Sequence, residues 1–141
     1  MKTIRKGVFE TNSSSTHSLV IMGDGEFEDL SRYEGEVLEV FPGEYGWEIE
    51  DYHSFEEKLS YAYTYAVNYE EEKLDILETF LINNLKVSKV KFKKNKEDFY
   101  KYGYIDHQSI DTASEIFENI NNLRFFLLGK NSYFKTDNDN H

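Results

Sequence analysis

Two stretches of helical spacing, set among short β-forming runs, constrain this chain more than any other feature. Phe55, Leu59, Ala62, Tyr63, Ala66 and Val67 recur at intervals of three and four, as do Leu74, Leu77, Phe80, Leu81 and Leu85. Stripes of this kind bury one face of a helix. Ser54-Phe55-Glu56-Glu57 has the Ser-x-x-Glu spacing of a capping box, in which hydroxyl and carboxylate satisfy free backbone donors, so a helix is predicted from about Phe55. A second starts near Glu70, where Glu70, Glu71 and Glu72 suit the positive end of the helix dipole. Thr112 and Glu115 repeat the capping spacing ahead of Ile116, Ile120, Leu123 and Leu127, which predicts a third helix closed by Gly129.

The β runs are shorter. Thr3 to Phe9 reads as a strand, and the continuous apolar run Leu19-Val20-Ile21-Met22 within 17–22 predicts a second, buried on both faces and central in its sheet. Glu36 to Phe41 is a third, stopped by the single proline, Pro42, with Gly43 and Gly46 marking turns around Glu44-Tyr45. Val87 to Phe92 sets Val90 and Phe92 on one face and Lys89, Lys91 and Lys93 on the other, as at an edge or solvated face. Ser132 to Lys135 adds a short strand, whereas residues 27–35 and 95–110 have no period and are expected as loops. The order predicts an α+β fold, a mixed or antiparallel sheet with about three helices packed on one face. At 141 residues the chain fits a single domain, 1–141.

Zero cysteines exclude a disulfide framework and thiolate metal sites, and fit a reducing compartment. No apolar run approaches a membrane span, and Met-Lys-Thr-Ile-Arg-Lys lacks the apolar segment of a signal peptide, so the expected setting is cytoplasmic. The net charge of -11 disfavours direct nucleic-acid binding. That charge is uneven: Asp24 to Glu57 holds thirteen acidic residues against Arg32 alone, whereas Lys86, Lys89, Lys91, Lys93, Lys94 and Lys96 form a basic stretch. Such segregation permits self-association or a partner of complementary charge, and is equally a pair of solvated faces.

Eight consecutive polar residues, Glu10 to His17, separate the first two apolar runs. Hydroxyls and backbone donors from Asn12, Ser13, Ser14, Ser15 and Thr16 can cradle an anion, with His17 adding a proton or a charge. The alternative is a hairpin loop whose side chains bond their own backbone. Neither the Gly-x-x-x-x-Gly-Lys pattern nor the Gly-x-Gly-x-x-Gly fingerprint is present, and no Gly-x-Ser-x-Gly elbow supports a hydrolase. His107 follows Asp106, with Tyr104 and Ser109 close by. If the two polar segments meet, His17 and His107 form a candidate acid/base pair, oriented by Tyr104 or Glu10. Trp47, beside Tyr45, is either a stacking platform for a planar ligand or a core anchor. The His and Asp spacings do not suit a metal, and no cofactor is expected.

Arg-Lys-Gly-Val-Phe-Glu-Thr-Asn-Ser-Ser-Ser-Thr-His, from Arg5 to His17, resembles the opening of a family of small proteins encoded by bacteriophages and low-GC bacteria. Gly43-Glu44-Tyr45-Gly46-Trp47, Tyr104-Ile105-Asp106-His107-Gln108-Ser109 and Asp137-Asn138-Asp139-Asn140 are similar to it too, so the likeness spans most of the chain. The resemblance carries no assigned activity or catalytic residue. It implies a phage setting, in which small cytoplasmic proteins often counter host defences.

Two functions follow as expectations. In the first, the serine-rich loop, Tyr104, Asp106 and His107 form a pocket for a phosphorylated or nucleotide-like small ligand, which is sequestered or cleaved. In the second, the acidic stretch imitates nucleic-acid phosphates and occupies the basic groove of a host nuclease or other defence protein. The pocket reading also expects both His17→Ala and His107→Ala to leave folding nearly unchanged, as loop substitutions do.

Overall fold

The computed structural model describes residues 17–23, 25–46, 48–96 and 100–136. The expected strand at Thr3 to Phe9 lies outside them. The fold is α+β: seven strands in three small sheets, mixed antiparallel and parallel, and four α-helices among the described residues.

Helix α1 (Phe55–Tyr69) occupies the middle. Ser54 caps it as the spacing predicts, accepting from the Glu57 backbone N–H at 3.1 Å while its hydroxyl meets Glu57 Oε1 at 3.0 Å. The helix is not amphipathic in the simple sense, because Tyr61 to Ala66 are all buried. Six consecutive residues at 100° each sweep the whole circumference, so α1 is enclosed rather than laid on a sheet. Helices α2 (Lys73–Leu85), α3 (Ile110–Ser114) and α4 (Ile120–Leu128) pack around it.

The three-stranded antiparallel sheet has the order β1 (Ser18–Val20), β7 (Tyr133–Thr136), β4 (Glu50–Tyr52). The expected central position of the 17–22 run is therefore corrected: among the described strands β1 lies at the edge and β7 in the middle. Leu19 and Ile21 are buried while Ser18 and Val20 are half-exposed, so the apolar run packs on one face only. Phe134 earns the centre of β7, paired with Leu19 on one side and Tyr52 on the other. Its ring is fully buried, stacked on Tyr52 at 4.5 Å and on Tyr61 at 4.0 Å between centroids.

Strand β2 (Val37–Val40) pairs in parallel with β5 (Lys89–Phe92), Glu39 beside Lys91. Leu38, Val40 and Val90 are buried, and Glu39, Lys89 and Lys91 share the solvated face. The acidic and basic stretches, distant in sequence, are thus neighbours in space at this ribbon.

The expected 95–110 loop carries structure. Glu44-Tyr45, between the two turn glycines, forms β3 (Glu44–Tyr45), in parallel register with β6 (Tyr104–Ile105) inside that loop. Gly103 makes this pairing possible: it adopts φ +71°, and a Cβ there would stand 2.1 Å from the Gly43 carbonyl oxygen. The loop then closes into a 3-10 turn, His107–Ser109, running directly into α3. The single helix expected from residue 111 to 128 is split. Asn119 is fully extended, and its side chain caps α4 by accepting from the Asn122 N–H at 2.8 Å. Gly129 does terminate α4, but at φ −70° rather than in the left-handed region; there a Cβ would meet Phe125 O at 2.4 Å, so space requires the glycine.

Candidate functional site

β1 begins directly after His17, and the β3–β6 pairing delivers residues 104–109 to the same place. The Asp106 N–H donates to Tyr45 O at 2.8 Å, and the Ser109 N–H then turns back to Asp106 O at 2.8 Å. This positions the Ser109 hydroxyl to accept from the His17 backbone N–H at 2.9 Å, a bond between residues 92 apart in sequence. Ser109 Oγ also lies 3.5 Å from Asp106 Oδ2. His17 and the Tyr104–Ser109 segment therefore converge.

His17 is buried, and both ring nitrogens are engaged: Nε2 lies 2.9 Å from Gly46 O and Nδ1 2.8 Å from the Tyr61 hydroxyl. A carbonyl can only accept, so Nε2 carries a proton and donates to Gly46. Burial lowers the pKa of the ring, against the Gly46 bond and the nearby charges of Asp106 and Glu48. The neutral Nε2–H tautomer follows, with Nδ1 accepting from Tyr61. Burial, chiefly, pushes the Tyr61 phenol well above its ordinary pKa, so it holds that proton firmly. The Tyr61 ring stacks on Phe134 and meets Tyr45 edge-on at 5.1 Å, so the imidazole rests on the aromatic centre of the core.

Asp106 is buried, whereas Tyr104 is half-buried beside Tyr100, ring centroids 4.8 Å apart, with its phenol pKa raised by burial and then by Glu48 and Glu44. His107 is exposed on the 3-10 turn. No hydrogen bond joins its ring to that of His17, so an imidazole pair is not formed. Glu10, Asn12, Ser13, Ser14, Ser15, Thr16 and Trp47 lie outside the described residues. Among the described residues no group of three His, Asp or Glu side chains is arranged to hold a metal, and no helix is long and apolar enough to cross a membrane.

Tyr61 and Gly46 are the partners that sequence reasoning missed. Tyr61 falls between the positions of the apolar stripe; the signal was the run Tyr61-Ala62-Tyr63-Thr64-Tyr65-Ala66, too apolar all round for a helix with one buried face. Lys58 was missed as well. It is fully buried on α1 and donates to Gly129 O and Ser132 O, both at 2.8 Å.

Compared with known proteins, the chain matches no family model, no curated protein and no solved structure.

Proposed function

We propose that this chain is a phage-type protein that binds a phosphorylated or nucleotide-like small ligand where residues 10–16 lead into His17, beside Asp106 and Ser109, and so withholds it from a host defence system. The observation that carries the reading is the 2.9 Å bond from the His17 N–H to Ser109 Oγ. It ties the entrance of the hydroxyl-rich segment to a second polar segment at a spot where apolar side chains would have served packing alone. The local charges divide the labour. His17 is neutral, and Asp106 and Glu48 make the field negative, so the anionic part of the ligand takes its donors from the hydroxyls and amides adjoining His17 in sequence. Asp106, an acceptor, suits the donors of a sugar or a base. With the imidazole occupied on both nitrogens, binding without turnover is the simpler mode.

Thermal shift against nucleotides, cyclic nucleotides and sugar phosphates tests this. A true ligand at a hundredfold excess over its dissociation constant stabilises the fold by about 2.7 kcal/mol. Asp106→Asn should remove that increment while the unliganded melting temperature moves little. Absence of any shift across the panel would rule the reading out.

One observation favours the other reading, an acidic inhibitor of a basic host protein. Of the acidic stretch 24–57, only Glu26 and Glu56 form ion pairs among the described residues, with Lys130 and Arg32. Glu39 lies beside Lys91, while Glu44, Glu48 and Glu50 are exposed around β3 and β4 with no ion pair among the described residues. Reversal of these three to lysine should abolish inhibition of a salt-sensitive nuclease; inhibition left intact would dispose of it.

A further inference from the structure

Among the described residues β2 has one partner, β5, and its opposite edge borders a groove of about 440 Å³. Val37, Leu38, Glu39, Val40 and Phe41 all line that groove. Successive side chains of a strand point to opposite faces, so a cavity in touch with five in a row runs along the backbone edge and not over either face. The hydrogen bonds fix which backbone groups point into it. Ser88 N–H donates to Glu36 O and Lys93 N–H to Val40 O, both at 2.8 Å, so the even-numbered residues of β2 face β5. Alternation turns the N–H and C=O groups of Val37, Glu39 and Phe41 to the groove, where no backbone hydrogen bond satisfies them among the described residues. Val37 and Phe41 are also exposed apolar side chains, 49% and 51% accessible, on either side of the Glu39 carboxylate.

We propose that this edge captures an extended, basic segment of a partner protein as an added strand. A row of outward backbone donors and acceptors is matched by another backbone in extended form, with side chains at alternate positions setting specificity. Charge selects the occupant. Glu39 lines the groove and Glu34 and Glu36 are exposed in the chain just ahead of β2, whereas Arg32 is already bound to Glu56 at 2.7 Å and Lys91, the neighbour of Glu39, stands on the β5 side, away from the open edge. In the captured segment the residue beside Glu39 is Lys or Arg, and those beside Val37 and Phe41 are β-branched or aliphatic, since cross-strand neighbours share a face. The intervening residues point inward past Leu38 and Val40 toward Phe55 and Leu59 of α1, which line the groove's other wall. This inference concerns a surface apart from the His17 site and does not rest on the ligand reading.

The test uses the full chain and an acetylated, amidated peptide, Thr-Val-Ile-Lys-Val-Ile-Thr, titrated by NMR. Binding should shift the amide signals of Val37, Glu39 and Phe41, and Glu39→Lys should weaken it about tenfold through loss of an opposite-charge pair and gain of a like-charge one. Two N-methylated peptides need no change to the protein. One is methylated at its second, fourth and sixth residues, the other at its third and fifth; an added strand presents only one of these sets to β2, so one peptide loses binding and the other keeps it. Equal binding by both, or no binding of the parent peptide, overturns the proposal. So does a concentration-dependent dimer that the peptide dissociates, which would assign the edge to a second copy of this chain.

Discussion

Lys58 and Tyr61 stand one turn apart on α1, both fully buried, and they solve the same problem in opposite ways. Lys58 carries its charge into the core and is held by two backbone carbonyls, with no carboxylate in salt-bridge contact among the described residues. Burial, the main cause, presses its pKa down to about 8, partly countered by Glu28. Tyr61 brings a neutral hydroxyl and meets a neutral imidazole. The charged station fastens the turn between α4 and β7; the neutral one fastens the entry to β1. A buried ammonium among carbonyls is held by charge-assisted bonds whose loss takes the donor from two buried acceptors at once, whereas the Tyr61–His17 pair is cheaper to bury and cheaper to lose.

The largest effect is expected at the charged station. Lys58→Ala removes an apolar stem and both bonds, stripping Gly129 O and Ser132 O of their charged donor and leaving Gly129 O only the Ser132 N–H at 3.2 Å, and should cost about 4 kcal/mol, read as a lowered urea midpoint. A loss under about 1 kcal/mol would mean that water replaces the ammonium and would break the contrast. At the neutral station His17→Ala leaves Gly46 O and the Tyr61 hydroxyl unpaired and should cost about 2–3 kcal/mol. This outcome would depart from the expectation that the substitution leaves folding nearly unchanged, because the ring is buried rather than held on a surface loop.

pH sharpens the comparison with a smaller effect. Between pH 8 and 10.5 the unfolded chain keeps the Lys58 proton that the folded chain has released, so stability rises with pH. Tyr33, Tyr52 and Tyr63, pushed up to about 12 mainly by burial, act in the other direction above pH 10, where the unfolded phenols ionise first. The clean window is pH 8–10. There the wild type should gain about 2 kcal/mol that Lys58→Met does not. His17 gives a separate acid limb: its folded pKa lies below 6.5, so stability falls as pH drops below that value and the unfolded ring takes up its proton first. Urea melts of both proteins at several pH values would show the two limbs. The smallest effect belongs to His107→Ala, whose exposed ring should leave stability within about 0.5 kcal/mol, measured in the same denaturation series.

What could be read from sequence was what neighbouring residues decide. The Ser54 cap, the stripe of α2 and the alternation of Val90 and Phe92 with lysines are local patterns, and each fell where its spacing put it. The central place of β7 was not legible, because four residues, Tyr133 to Thr136, acquire it from Leu19 and Tyr52, far away in the chain. The two-residue strands β3 and β6 are too short to show a period at all. The break at Asn119 was hidden by an apolar stripe that continues across it, although the capping side chain was in view. At the site, the composition of the 10–17 run and the Tyr104–Ser109 segment marked both as polar and aperiodic, and His17 does meet Ser109. Their chemistry was less legible: burial of the His17 ring depends on Tyr61 and Gly46, whose proximity only the fold creates.

Gly103 lets β6 pass within touching distance of Gly43, and everything between Tyr104 and Ser109 hangs on that approach. A randomised library at position 103 would accordingly behave as though it had been aimed at His17. The sites least tolerant of change need not lie where the polar atoms gather; here the bottleneck is a place with no side chain at all, and any added carbon would unseat a hydroxyl six residues downstream.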